Sequence, residues 1–201
     1  MNLLKAAILI GGRSRRMGRP KHLLTVDERT LRATWLEHTV EIVHPLVAET
    51  VLLGQGEVPS CCATLRRISD IEGISGPLAG ILAAMRSEPE TDWLVLACDM
   101  PAISTEAVRW VLEQGTVENR GVVPRLSARN WYEPLFALYN YRSLELFEAL
   151  YAAEGGRIGR VARHPEIANP IVPRELRVAW RNVNTPEELQ LFYSERREVH
   201  F

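Results

Sequence analysis

The strongest constraint on this chain is the passage from Ala6-Ala7-Ile8-Leu9-Ile10 into Gly11-Gly12-Arg13-Ser14-Arg15-Arg16-Met17-Gly18-Arg19-Pro20-Lys21. An unbroken apolar run of strand length, rather than an alternating one, suits a strand covered on both faces, the kind found in parallel sheets. Gly11 and Gly12 have no Cβ, so the backbone there can approach a ligand closely. Five cations and no acid follow within nine residues, and charges so concentrated repel unless something neutralises them. Backbone N–H groups and guanidinium forks are the usual partners of phosphate oxygens. The stretch predicts a polyanion-binding loop behind a buried strand.

Neither common phosphate loop fits it. The P-loop needs Gly, four residues and Gly-Lys-Ser/Thr, whereas five residues separate Gly12 from Gly18, and Arg19-Pro20-Lys21 follows. The dinucleotide pattern G-x-G-x-x-G fails because Arg13 and Ser14 stand where later glycines belong.

Further along, the apolar face Leu31, Trp35, Leu36, Val40 and Val43 predicts a helix from about Thr30 to His44, ended by Pro45. His22–Val26 reads as a short extended piece before it. Strands are expected at Glu49–Gly54, Ala63–Ser69 and Asp92–Cys98, then at Gly121–Arg125 and Glu133–Tyr139, with a last one at Val178–Trp180. Helices are expected at Leu78–Arg86, after Ser104, over Arg142–Tyr151, near Arg157–Arg163 and after Thr185-Pro186. Alternating strands and helices predict an α/β fold, a three-layer α/β/α Rossmann-like arrangement with a mostly parallel central sheet. Ligands of such sheets sit outside the carboxyl ends of the strands. Gly11-Gly12, Gly54, the Asp70–Pro77 loop and Asp99 all follow predicted strands, so they are expected along one edge.

At 201 residues the chain reads as one domain over 1–201, with a fraying tail at 194–201. The net charge of −1 makes the basic character local, which argues against nucleic acid as a partner. No apolar run reaches membrane-span length and no leader precedes the first strand, so a cytoplasmic protein with no membrane partner is expected. Cys61, Cys62 and Cys98 form no C-x-x-C pair and read as reduced thiols.

Asp99 ends an apolar strand, where a lone carboxylate needs hydrogen bonds or a metal. It reads either as a cap of the following segment or as a Mg²⁺ ligand, since Mg²⁺ requires only one or two carboxylates beside substrate phosphates and waters. Asp70 reads as a loop aspartate satisfying its own turn. Asn182 and Asn184 serve equally well as turn residues before Thr185. Arg125, Arg129 and Arg157 read as solvated surface or as phosphate partners, and Trp131 and Tyr132 as loop packing or stacking platforms.

The loop around Gly11 resembles Leu-x-Gly-Gly-x-Ser-x-Arg-Met-Gly-x-x-Lys, the nucleotide-binding loop of the molybdenum cofactor guanylyltransferases (molybdopterin-guanine dinucleotide biosynthesis protein A). Ordered blocks extend the resemblance from Leu9 to Leu189: Asp70 with Gly76-Pro77-Leu78-Ala79-Gly80, Cys98-Asp99-Met100-Pro101, Glu133-Pro134-Leu135-Phe136-Ala137-Leu138-Tyr139 and Asn182-Val183-Asn184-Thr185-Pro186. The resemblance implies transfer of GMP from GTP to molybdopterin or molybdenum cofactor, with Mg²⁺ held by Asp99. It implies a nucleotide site of Leu9, Ile10, Gly11, Gly12, Arg13, Ser14, Lys21, Gly54, Asp70, Gly76, Pro77, Leu78 and Asp99. Catalytic roles fall to Arg16, Lys21 and Asp99, and a pterin side to Arg125, Glu133, Pro134, Arg157, Asn182 and Asn184. A pterin-delivering protein and recipient molybdoenzymes are the implied protein partners. Two positions depart from the family pattern: Ile10 stands where alanine is usual, and Pro20 where an aspartate commonly precedes the lysine. Two alternatives remain: a cytidylyltransferase or other small-phosphate nucleotidyltransferase of the same fold, and a non-catalytic nucleotide-binding module.

Overall fold

A computed structural model describes residues 2–11, 17–27, 33–127, 131–154 and 157–198. In chain order the regular elements are β1 (Leu4–Leu9), α1 (Trp35–Val43), β2 (Glu49–Leu53), β3 (Arg66–Ile68), α2 (Pro77–Ser87) and β4 (Asp92–Ala97). Then come α3 (Thr105–Glu113), β5 (Gly121–Val122), β6 (Phe136–Tyr139), α4 (Ser143–Glu154), β7 (Ile167–Ala168) and α5 (Pro186–Glu198).

Among the described residues the strands form one seven-stranded sheet in the order β3-β2-β1-β4-β6-β5-β7. β1 lies centrally and pairs in parallel with β2 and β4, while β6 runs antiparallel to both of its neighbours. This is the mostly parallel α/β sheet that the apolar strands imply. Alternate residues of β1 explain the two cores. Ala6, Ile8 and Ile10 face a cluster closed by Leu36 and Val43 of α1 and by Ala107, Val108 and Val111 of α3. Ala7 faces the other layer, with Leu78, Ile81 and Leu82 of α2 and Phe147 of α4. A third cluster joins Leu24, Trp35 and Val183 to Leu189, Phe192 and Tyr193 of α5.

Several boundaries differ from the sequence expectation. α1 begins at Trp35, because Thr34 and Glu37 form a capping box: the Glu37 N–H donates to Thr34 Oγ1 and the Thr34 N–H to Glu37 Oε2. Leu31, on the expected earlier turn, lies outside the described residues. Lys21–Leu23 is a 3₁₀ turn behind Pro20 rather than the start of an extended piece. Val178–Trp180 is no strand. It ends a 3₁₀ turn over Arg174–Trp180, where Trp180 stacks on Phe136 at 4.4 Å between ring centroids. The sheet edge is instead taken by β7, which the sequence reading missed because it is two residues long. β6 starts only at Phe136, since Pro134 has no N–H for a ladder. α5 continues to Glu198, through part of the segment expected to fray.

Candidate active site

The strand register fixes the site. Leu9 of β1 is level with Leu53 of β2 and Ala97 of β4, so Ile10-Gly11, Gly54 and Cys98-Asp99 leave the sheet side by side. β6 runs the other way. Its leading residues, Glu133 to Leu135, therefore arrive at the same edge, and Leu135 O accepts from the Ala97 N–H at 2.8 Å. Above this edge lies a cleft of about 800 Å³. Its floor is Leu9, Ile10, Gly11, Ala97 and Cys98, and one wall is the Asp70–Pro77 loop with Leu53. The other wall carries Lys21, Asp99 and Asn184.

Two close approaches shape the floor. Gly54 has φ +98°, a left-handed conformation, and a Cβ there would lie 3.2 Å from Gly11 N. A Cβ on Gly80, in the second turn of α2, would lie 2.9 Å from Asp70 Oδ1. The glycine of the Gly-Pro-Leu-Ala-Gly run thus leaves room for the Asp70 carboxylate. Asp70 has no hydrogen-bond or ion-pair partner among the described residues, and burial raises its pKa above the usual carboxylate range. It is a free acceptor at the cleft wall.

The opposite wall is knit together. Lys21 Nζ donates to Asn184 Oδ1 at 2.5 Å and to Asp99 Oδ2 at 3.1 Å. The Val183 N–H donates to Asp99 O at 2.9 Å, which ties the loop before α5 to the end of β4. Glu188, in the first turn of α5, accepts from the N–H groups of Asn184 and Thr185 and fixes the loop from the other side. Lys21 itself sits on a turn anchored below: the Trp35 N–H donates to Leu24 O, and the Trp35 indole and the Tyr193 hydroxyl both donate to Thr25 O. Beside Asn184, Asn182 Nδ2 donates to Glu133 Oε2 at 3.2 Å. Glu133 is only 8% exposed. Burial pushes its carboxyl pKa up to about 7, helped by the negative charge of Asp99 and opposed by the bonds from Asn182 and the Leu135 N–H.

Of the residues singled out in the sequence, Leu9, Ile10, Gly11, Lys21, Asp70, Gly76, Pro77, Asp99 and Asn184 line this cleft. Gly54 packs behind Gly11, and Leu78 is a fully buried core residue of α2. Glu133, Pro134 and Asn182 do not line the cleft; Glu133 and Asn182 are bonded to each other, and Pro134 O accepts from the Tyr139 hydroxyl. Arg125 lies by β5–β7, bridging to Tyr132 and Ile171, and exposed Arg157 precedes a 3₁₀ turn over Ile158–Arg163; neither lines the cleft. Gly12, Arg13, Ser14, Arg16 and Arg129 lie outside the described residues. Sequence reasoning missed Met17, His22, Leu53, Ile74, Ser75, Ala97, Cys98 and Leu135 as cleft residues. His22 holds the loop after β2 through Nε2 and Glu57 O at 2.8 Å, and no ligand spacing flags it. Ile10, at the position where alanine is usual, packs its side chain into the core with Cys98 and Met100.

The donor set for a metal is sparse. Among the described residues no three His, Cys, Asp or Glu side chains converge. Asp99 nevertheless offers a hard carboxylate oxygen at the cleft, and the Asn184 amide oxygen shares the same cation with it. Both already hold a positive group, which is the chemistry a Mg²⁺ with substrate phosphates would ask of them.

An open, mostly parallel sheet with a lysine, an aspartate and glycine backbone converging at the edge where ligands of such sheets sit has the groups that a phosphate-bearing ligand needs. The comparisons narrow this class. Over 198 residues the chain is 33% identical to the probable molybdenum cofactor guanylyltransferase of Bacillus mycoides, covering 94% of each chain. Over 190 residues it is 34% identical to the protein so named from Pelotomaculum thermopropionicum, covering 90% of this chain and 88% of that one. Its fold matches molybdopterin-guanine dinucleotide biosynthesis protein A from Archaeoglobus fulgidus with a TM-score of 0.75, at 24% identity over 96% of this chain and 99% of that one. The protein is a nucleotidyltransferase. Residues 6–167 match the MobA-like NTP transferase domain, and the chain belongs to that family. No helix among the described residues is long and apolar enough to cross a membrane.

Proposed function

We propose that this enzyme transfers GMP from GTP to the terminal phosphate of molybdopterin or its molybdenum form, releasing pyrophosphate, in the cytoplasm. The observation that carries the reading is the convergence of Lys21, Asp99 and Asn184 on one wall of a cleft whose other wall presents the unpartnered Asp70.

In this reading Asp70 accepts from the N1–H and N2–H₂ donors of guanine, a donor pair cytosine does not offer. Gly11 lets the backbone lie against the nucleotide. Lys21 neutralises charge at the α-phosphate and on the departing pyrophosphate. A phosphate oxygen of the acceptor forms the new P–O bond to the α-phosphorus as the bond to pyrophosphate breaks. That oxygen is already anionic, so no side chain has to take a proton. Catalysis is then placement and charge stabilisation. Asp99, with Asn184 beside it, would hold Mg²⁺, which supplies charge neutralisation on the phosphates.

Thermal unfolding with Mg²⁺ and each of GTP, CTP, ATP and UTP tests the donor. A ligand at ~100 times its Kd stabilises the folded state by about 2.7 kcal/mol. The expected result is a shift with GTP alone, followed by pyrophosphate release once molybdopterin is added. A shift with CTP alone overturns the guanine assignment, and no pyrophosphate release overturns the transfer reaction.

A further inference from the structure

Lys21 already grips the two oxygens that the proposed reaction asks to hold a divalent ion. Its ammonium lies 2.5 Å from Asn184 Oδ1 and 3.1 Å from Asp99 Oδ2, bridging an amide oxygen and a carboxylate oxygen. Hard cations such as Mg²⁺ select oxygens of these two kinds. The bridge is sheltered, with the Lys21 and Asp99 side chains only 18% and 26% exposed, so charges there are screened less than on an open surface. A divalent ion taking both oxygens would sit where the ammonium sits, and like charges at contact repel.

The three groups differ in freedom. Asn184 is held in place: Glu188 accepts from its N–H, and the neighbouring Val183 N–H donates to Asp99 O at 2.9 Å. Asp99 follows β4, whose last residue, Ala97, is paired with Leu9 of β1. Lys21 is different. Its backbone lies on an anchored turn, where the Leu24 N–H donates to Lys21 O at 2.9 Å, but its ammonium rides on a flexible four-carbon stem. It is also the only lysine or arginine among the described residues that lines the cleft, so phosphates entering there draw on this side chain.

We propose that Lys21 controls the access of divalent cations to Asp99 and Asn184: ammonium and metal compete for the same two oxygens, and nucleotide phosphates free them by pairing with the ammonium. The inference rests on the roles proposed above for Lys21 and Asp99. Free metal then binds weakly, and nucleotide and metal help each other bind, a coupling that is reciprocal by linkage. The nucleotide-free enzyme thus keeps divalent ions away from Asp99.

Mn²⁺ binding to nucleotide-free protein, followed by EPR, tests this without turnover. Lys21→Met should bind Mn²⁺ about 10-fold more tightly than wild type, within the usual range of coupling between sites. Lys21→Arg, which keeps a cation, should stay near wild type, and adding Asp99→Asn to Lys21→Met should abolish the gain. In ¹⁵N-labelled wild type, GTP with EDTA should shift the Asn184 side-chain amide signals as Lys21 leaves Oδ1; in Lys21→Met the same addition should shift them far less. Equal or weaker Mn²⁺ binding in Lys21→Met overturns the proposal, and so does a gain that survives Asp99→Asn. An Asn184 amide that GTP leaves unmoved in the wild type overturns the release by phosphates. The Mn²⁺ comparison contains no nucleotide, so it decides the competition even where thermal unfolding with GTP shows no shift and only the reaction assignment fails.

Discussion

Single residues decide the chemistry at this cleft, and three make sharp predictions. Lys21→Met should cost at least ~100-fold in turnover, the scale of one lost transition-state contact, while the melting temperature stays close to wild type. Steady-state assay beside a thermal melt checks it, and near-wild-type turnover removes Lys21 from the mechanism. Gly80→Ala places a methyl 2.9 Å from Asp70 Oδ1 and 3.1 Å from Leu53 Cβ, so the carboxylate must move. Nucleotide titration should show weaker GTP binding and a smaller preference for GTP over CTP. Glu133 makes the pH prediction. Its pKa of about 7 in the folded protein exceeds the 4.5 of an ordinary glutamate, so folding favours the protonated form. The stability this contributes is complete below about pH 4.5 and is lost as pH rises through 7, a change on the order of 3 kcal/mol. Thermal melts across that window should fall for wild type and stay flatter for Glu133→Gln; equal slopes would refute it. At this scale Lys21, Asp99 and Asp70 are singled out in the sequence because each follows a predicted strand or its glycine-rich loop, and the structure brings all three to the cleft. Glu133's burial is not legible, since nothing in Trp-Tyr-Glu-Pro says that the strand after it runs backwards.

Helices and strands were legible where the chain carries long periodic or unbroken apolar runs. β1, β4 and α3 sit where the pattern places them. The piece that escaped is short. β7 has two residues and exists because it pairs with β5, a long-range fact that no local window contains; β5, expected over Gly121–Arg125, keeps only its first two residues. Conversely Val178-Ala179-Trp180 has strand composition, but packing of Trp180 on Phe136 and Trp110 wins over propensity. The element with most influence on the site is α5. Glu188, which completes a capping box with Thr185 by accepting from its N–H, also accepts from the Asn184 N–H at 2.5 Å, so one carboxylate both helps start the helix and holds the asparagine that grips Lys21. Glu188→Ala should therefore cost about 1 kcal/mol of stability, as cap losses do, and lower turnover as well. A stability loss without a kinetic one would mean that the loop is held by Val183 and Asp99 alone.

Across the whole molecule the two ends of the sheet carry different burdens. At the end away from the cleft, Lys5 is 8% exposed and its Nζ pairs with Glu49 and Glu88 at 2.6 Å each, with Arg66 completing the cluster. Burial draws the Lys5 pKa down, but these carboxylates outweigh it and hold the ammonium above its usual range. Lys5→Met strands two partly exposed carboxylates against Arg66. It should destabilise by roughly 2 kcal/mol, below the 3–5 of a fully buried pair, and leave GTP affinity unchanged. Denaturant melts and nucleotide titration together test this separation of ends, and a weakened GTP affinity would contradict it.

Lys21 and Asn184 meet across 163 residues of chain. During synthesis the Asp70 wall and Asp99 emerge long before the asparagine that restrains the lysine, and domains begin to organise as they emerge. A ribosome-bound chain halted before residue 182 would carry the Asp70 wall and a lysine with only one of its two anchors. The wall is therefore assembled only once the chain has been made past Asn184, and shorter copies remain unable to bring Lys21 and Asn184 together.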